Sequence, residues 1–338
     1  MKAKDISGQA PGGRRERLAN VLPLEAPFVV QIFPIYACNF RCGYCIFSVE
    51  KSQRHFISDE VTMPLDLYTK CVDEMAAFPQ KIKVLRFVGI GEPLLHKDLV
   101  QMVDYTVQKK IADVVELLTN ASLLTPKLSD SLIAAGLSRL VVSLQGTSPQ
   151  KYRDICGAKV DLESFIANLG YFYSHKRNTQ VYVKIVDCAL DGEKDKQAFY
   201  ELFGDVCDTM AVEHAVPIHP GVDFESVLKD GNSDRTQFGL PVGDVEVCPQ
   251  PFFTMQINPD GKVVPCYSFE YPQIMGNCHE QTVPAIWNGA TFRAFRRAML
   301  DGAGTASDVC GRCNIIKYRM FPEDELAPDA ERLKKLYA

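Results

Sequence analysis

The chain lacks an apolar run long enough to span a bilayer and lacks any excess of basic charge. Its apolar stretch Ala26 to Tyr36 falls far short of the ~20 residues a membrane helix needs. Val29, Val30 and Ile32 within it suit a buried strand instead. Met1 to Asn20 has no apolar h-region, so no signal peptide is read there. A formal net charge of −5 removes the electrostatic argument for a nucleic-acid partner. The one basic cluster, Arg14-Arg15-Glu16-Arg17, lies in a polar, Gly-rich stretch and reads as a solvated tail. There is no internal repeat and no low-complexity block. The expectation is a cytoplasmic protein with neither membrane nor nucleic acid as partner.

What is present is core and cysteine. At 338 residues, 46% of them hydrophobic, the chain suits one large domain plus a small one. Twelve cysteines without a secretion signal argue for metal or redox use rather than disulfides.

Short β-rich runs alternate with helical patterns. Strands are expected at Phe28–Ile35, Lys83–Val88, Val114–Leu118, Arg139–Leu144, Val181–Val186 and Thr209–Glu213. Helices are expected between them, at Leu65–Ala77, Leu99–Lys109, Lys127–Ala135, Leu162–His175 and Ala198–Phe203. This alternation implies parallel βαβ units in an α/β barrel-like or open sheet, with the chemistry at the C-terminal strand ends. The chain divides into a flexible segment 1–25, a core 26–220, a Gly-, Asp- and Ser-rich linker 221–247, a cysteine-rich extension 248–320 and a helical tail 321–338. In the extension, Thr254–Ile257 and Lys262–Val264 form a hairpin around the turn Asn258-Pro-Asp-Gly261.

Cys38, Cys42 and Cys45 fall in CNFRCGYC, directly after the first strand. Three thiolates at this spacing can bind three irons of a four-iron cluster and leave the fourth open, whereas clusters that only carry electrons mostly have four cysteine ligands. CX3CX2C is not a usual zinc spacing, and no fourth Cys or His follows within the loop, His55 being the first candidate. The motif, with the aromatic Tyr44 before its last cysteine, resembles the radical S-adenosylmethionine (SAM) superfamily, in which the open iron holds the amino and carboxyl groups of SAM.

That resemblance implies the fold and more of the site. The fold becomes a partial (β/α)6 TIM-type barrel with a small C-terminal iron–sulfur extension. Gly89-Ile-Gly91-Glu92-Pro93, about 45 residues on and at the next strand end, resembles the superfamily's GGEP motif, which binds the methionine amino group of SAM. Ile90 replaces the second glycine of that motif. Asn120 ends the third strand, and Ser143-Leu-Gln145-Gly146 ends the fourth and resembles the segment that meets the ribose or carboxylate of SAM. Lys184 and Arg153 are further candidates, since a carboxylate in a pocket wants a cation; the competing reading is surface charge on a strand edge and a helix.

Cys248 and Cys266 flank the hairpin as CX12GX4C, and Cys310-Gly-Arg-Cys313 closes the segment. On ligand rules this set suits either a tetrahedral zinc or a fully ligated four-iron cluster. The resemblance favours the cluster, because such spacing after the barrel opens the SPASM and twitch extensions, and a single intervening cysteine, Cys278, fits the one-cluster twitch form. Gly276-Asn277 and Ile286-Trp287-Asn288-Gly289 also resemble this extension. Cys71 reads as a buried structural thiol, and Cys156, Cys188 and Cys207 have no assigned task. Cys278 is a structural thiol, an auxiliary ligand or a hydrogen-atom donor.

The implied cofactors are SAM, its 4Fe–4S cluster and an auxiliary 4Fe–4S cluster, with a flavodoxin- or ferredoxin-type electron donor as partner. Cleavage of SAM would give a 5′-deoxyadenosyl radical that takes hydrogen from an unactivated carbon. The architecture resembles the 2-deoxy-scyllo-inosamine dehydrogenase type of enzyme, and about 25 polar residues before the first strand are too few for a peptide-recognition module. The expected reaction is therefore oxidation of a small sugar, aminocyclitol or polyol, with the auxiliary cluster as electron acceptor. A radical epimerase or peptide-modifying enzyme using a thiol donor, and a non-catalytic iron–sulfur carrier, are the alternatives.

Overall fold

The computed structural model describes residues 2–7, 15–54, 58–219, 221–228, 234–267 and 270–337. His55, Arg14 and Pro220, and 229–233 of the expected linker, lie outside them. One ten-stranded sheet organises the chain. Its strands are β1 (Lys4–Asp5), β2 (Val29–Ile32), β3 (Ile82–Phe87), β4 (Ala112–Thr119), β5 (Arg139–Leu144), β6 (Gln180–Val186), β7 (Thr209–Glu213), β8 (Thr254–Ile257), β9 (Lys262–Val264) and β10 (Gly276–Asn277). They run in the order β1-β7-β6-β5-β4-β3-β2-β8-β9-β10, parallel from β1 to β8 and antiparallel beyond. The barrel is therefore open: β7 ends against β1, and β2 against β8.

The crossovers are α1 (Leu65–Met75), α2 (Leu99–Lys109), α3 (Pro126–Ala134), α5 (Leu162–His175) and α6 (Glu193–Phe203), with α4 (Pro149–Cys156) before α5. Local chemistry sets their starts. Thr125, Ser148 and Asp161 cap α3, α4 and α5 by accepting the backbone N–H three residues on, and Pro126 and Pro149 occupy first-turn positions. α4 was not among the expected helices, although Ser148-Pro149 before it and the left-handed Gly157 after it are a start and a stop signal. α6 begins five residues before the expected Ala198, where Glu193 and Asp195 favour the positive end of the helix.

Strand residues alternate between two faces. Leu85, Phe87, Val115, Leu117, Leu140, Val142, Val181, Val183 and Met210 point outward into the main core beneath the helices. The inward face is layered. A charged layer of Arg86, Glu116 and Arg139 lies on it, and above that layer lie Leu118, Val141, Tyr182 and Ala211 with Ile6. The polar residues at the strand ends come last.

One expectation changes. The described part of 1–25 is packed, not flexible. Lys4 and Asp5 pair with Thr209 and Met210, Leu18 and Ala19 are buried, Arg15 holds Asp324 at 2.6 Å, and Arg17 holds Asp329 at 2.8 Å. The cluster's charges find acidic partners in the tail. The extension, in turn, is built onto the barrel: β8 lies in register with β2, pairing Val29 with Thr254 and Ile32 with Ile257. Among the described residues no helix is long and apolar enough to cross a membrane.

Candidate functional site: a cysteine-lined cavity at the strand ends

The loop after β2 carries Cys38, Cys42 and Cys45, and it is clamped from the side by α4. Arg41 N–H donates to Cys156 O at 3.0 Å and Gly43 N–H to Ile155 O at 2.8 Å. All three thiols line a cavity of about 280 Å³ at the C-terminal ends of the strands. Burial pushes the Cys38 thiol up to about 11 and Cys45 upward too. Cys42 is pushed up by a hydrogen bond with Cys156 and by burial. Metal-free, these groups are held as thiols, and loading iron displaces their protons.

The opposite wall belongs to the loop after β3. Glu92 is buried, and its Oε1 accepts the Thr119 hydroxyl at 2.5 Å and the Leu94 N–H at 2.9 Å. Its Oε2 accepts the Asn120 N–H at 2.7 Å. The loops after β3 and β4 are thus tied together at one carboxylate, although burial itself pushes that carboxyl upward, and the Glu92 backbone N–H donates to Ala37 O of the loop after β2 at 2.8 Å. Gly89 and Gly91 let two of these loops touch. A Cβ on Gly89 would stand 2.7 Å from the Phe33 ring, and one on Gly91 2.1 Å from Ile35 O.

Of the expected SAM contacts, Tyr44, Gly89, Gly91, Glu92, Asn120, Ser143, Gln145 and Lys184 all line this cavity. Pro93 does not, and instead starts a short helical turn behind Glu92. Gln145 donates to the Tyr44 hydroxyl at 3.4 Å, while its Oε1 is buried without a partner. Arg153 is a correction: it is an exposed residue of α4, held to Gln150 on its own helix at 2.5 Å, and is absent from the cavity wall. A cation three residues after Gln150 on a solvent-facing helix finds its partner locally.

The cavity also has a wall that sequence reasoning missed. Glu213 ends β7 and accepts from Lys184 at 2.6 Å, Gln237 at 2.6 Å and Tyr182 at 3.1 Å. His214, His219 and Arg319 line it as well. The rule that chemistry gathers at strand ends could have found Glu213 and His214, since the expected strand already ended at Glu213.

Cys248, Cys266, Cys310 and Cys313 line a second cavity, of about 40 Å³, against Phe295, Met299 and Gln250. Burial pushes Cys248 upward and Cys310 to about 12, and Cys248 lies within electrostatic reach of the other three. A third cavity, of about 610 Å³, touches Cys313 and shares Ile218, His219 and Phe224 with the first. Cys278 is the second correction: of its three expected roles the buried structural thiol agrees with its placement, and the hydrogen-donor role is the one corrected. It is fully buried beside Cys71, Lys70 and Glu74 and faces none of these cavities. It directly follows β10, which pairs with β9, and lies against α1, where it fills core.

Residues 32–202 match the radical SAM superfamily, and residues 248–314 match SPASM, an iron–sulfur cluster-binding domain. The chain belongs to the radical SAM superfamily. Among curated relatives, a tungsten-containing aldehyde ferredoxin oxidoreductase cofactor-modifying protein of Pyrococcus furiosus is 24% identical over 77% of this chain and 80% of its own length. The S-adenosyl-L-methionine-dependent 2-deoxy-scyllo-inosamine dehydrogenase of Niallia circulans is 22% identical over 82% of this chain and 89% of its own. A crystal structure of BtrN with AdoMet and 2-DOIA shares the fold at a TM-score of 0.52 and 21% identity, covering 86% of this chain and 97% of that one.

This radical SAM enzyme carries SAM and iron–sulfur clusters, and the residues fit them. Among the described residues no three His, Cys, Asp or Glu side chains are arranged for a single ion. Two all-thiol donor sets and an orphaned acceptor, Gln145 Oε1, border the cavities instead. Cys38, Cys42 and Cys45 would hold the SAM-binding cluster, and Cys248, Cys266, Cys310 and Cys313 the SPASM cluster.

Proposed function

We propose that this enzyme oxidises a secondary alcohol of a small sugar, aminocyclitol or polyol to a ketone. The observation that carries the reading is the third cavity, which opens onto Cys313 and shares Ile218 and His219 with the first, beside a polar wall that the SAM motifs leave over. Lys184, Glu213 and Gln237 form a hydrogen-bonded group of both signs, suited to hydroxyl and amino substituents. When bound, SAM and its reduced cluster supply the 5′-deoxyadenosyl radical that takes the carbinol hydrogen. Glu92, Asn120 and Gln145 orient SAM, and Gly89 and Gly91 let the backbone approach it. The four extension cysteines hold the electron acceptor, and a flavodoxin- or ferredoxin-type protein supplies the initiating electron. The similarity to the Niallia circulans dehydrogenase over most of both chains supports the same class of substrate.

The epimerase alternative loses its expected donor, because Cys278 is enclosed in the core. The test is anaerobically reconstituted enzyme with SAM, reductant and a polyol panel. Cys310→Ala should abolish ketone while 5′-deoxyadenosine remains measurable. A product of unchanged mass carrying one solvent deuterium would replace oxidation by epimerisation.

A further inference from the structure

One side chain of the cavity wall is built for a task that the SAM motifs do not explain. His214 follows β7 directly, lines the cavity and keeps 32% of its side chain exposed. Its Nδ1 lies 2.8 Å from Asp187 Oδ2, and Asp187 Oδ1 accepts the Ala215 N–H at 2.8 Å. Asp187 is the residue after β6, so two adjacent strand ends supply the pair. A carboxylate only accepts, so Nδ1 carries the proton of this bond and neutral His214 presents Nε2 as an open lone pair.

Among the described residues Nε2 has no hydrogen-bond partner. Its backbone N–H donates to Gln237 O at 2.9 Å, which ties His214 to the turn carrying Gly239. Gly239 sits at φ +82, and a Cβ there would stand 3.3 Å from Nε2. A glycine both permits that turn and keeps the nitrogen uncovered. Glu213 beside it is already engaged by Lys184, Gln237 and Tyr182, so it is the less available base.

The geometry points to His214 as the general base that takes the substrate hydroxyl proton, with Asp187 as its positioning residue. The inference rests on the oxidation proposed above. Converting a secondary alcohol to a ketone removes a hydrogen atom from carbon, a proton from oxygen and one further electron. The hydrogen atom goes to the 5′-deoxyadenosyl radical and the proton to Nε2. The electron goes to a one-electron oxidant of the iron–sulfur class, held by Cys248, Cys266, Cys310 and Cys313. Loss of the proton leaves a more electron-rich carbon radical and so assists the electron's departure. Asp187 balances the imidazolium that forms.

Two measurements test this. The first uses full-length reconstituted enzyme with SAM, reductant and myo-inositol, scyllo-inositol or 2-deoxy-scyllo-inosamine, deuterated at the carbinol carbons. His214→Gln should still move deuterium into 5′-deoxyadenosine, while ketone formation falls about 100- to 10,000-fold. Most of that loss should lie in kcat rather than KM. Ketone formation within about threefold of wild type would overturn the assignment of a base whose removal costs about 100-fold or more. The second is 15N NMR of histidine-labelled full-length protein, before and after reconstitution and without substrate, with His214 assigned by its absence in His214→Gln. The Nδ1-protonated tautomer is expected, giving way to a mixture in Asp187→Asn. An Nε2-protonated ring in the wild type overturns the proposal, because it has no lone pair to offer. Should the wild type form no ketone from these compounds, the oxidation reading falls and takes the base with it. Ketone from the wild type, matched within about threefold by His214→Gln, removes the base alone.

Discussion

Replacing Gly91 by alanine should separate SAM binding from cluster loading. Gly91 lies where the loop after β3 crosses the end of β2, and a Cβ there would stand 2.1 Å from Ile35 O and 3.0 Å from Ala37 O. Ordinary contact begins at 3.4 Å, so the two loops must part by 3.4 − 2.1 = 1.3 Å. Both obstacles are backbone carbonyls, which cannot swing aside as a side chain would. Overpacking of this kind costs about 1–3 kcal/mol. The separation also strains the hydrogen bond from Glu92 N–H to Ala37 O, 2.8 Å long, which adds about 1 kcal/mol. Ligand contacts tolerate displacements of only about 0.5 Å, so the Glu92 side of the cavity and the cysteine side no longer serve one ligand. Losing a single charge-assisted contact of about 1.5–3 kcal/mol weakens SAM roughly tenfold to a hundredfold. The assay is anaerobic calorimetric titration of SAM into reconstituted protein, with iron content and thermal unfolding measured alongside. Gly43→Ala, inside the cysteine motif itself, is the control, because its Cβ would meet nothing closer than 3.9 Å. A folded, iron-loaded Gly91→Ala protein binding SAM within about threefold of wild type would refute the reasoning, since the predicted loss is about tenfold or more.

Two other outcomes follow from the interior. Burial pushes the Glu116 carboxyl up, but Arg86 and Arg139 outweigh it, and its net direction is below the ordinary 4.5. The stability it contributes is therefore complete above that value and disappears as pH falls through the lower, folded-state value. Glu116→Gln should cost about 3–5 kcal/mol at pH 7 by urea unfolding of the metal-free full-length chain, with the gap closing below about pH 4.5; a gap independent of pH would show that Glu116 is not ionised in the fold. Cys278→Ala should cost about 0.5–1.5 kcal/mol in the same assay, as expected for one buried heavy atom, and leave product formation intact; lost turnover with retained SAM cleavage would return Cys278 to the chemistry.

The repeating strand–helix pattern and the first cysteine set were legible in the sequence because they are local, whereas the second set, spread from Cys248 to Cys313, was read through its resemblance to a known extension. Thr209–Glu213 was read with its observed ends, and Phe28–Ile35 was shortened at both ends to Val29–Ile32, with Pro34 and the turn toward Cys38 lying beyond its C-terminal end. CX3CX2C and GIGEP announce chemistry because one loop or one strand end carries each motif whole. Several features depended on contacts between distant segments, which no window of sequence contains. Gln31 opposite Gln256 in one continuous sheet is such a contact, and so is Arg15 against Asp324. The two corrected residues show the same limit. Arg153 and Cys278 have the right chemistry, but a helix face turns one outward and the course of the chain after β10 buries the other against Cys71. Asp187 and His214 are 27 positions apart and carry no motif. Sequence determined which groups sit at which strand ends, because side-chain alternation and βα punctuation are local properties of the chain. Tertiary structure decided which ends face one another, because barrel curvature and the docking of β8 on β2 are set by the packing of the whole sheet.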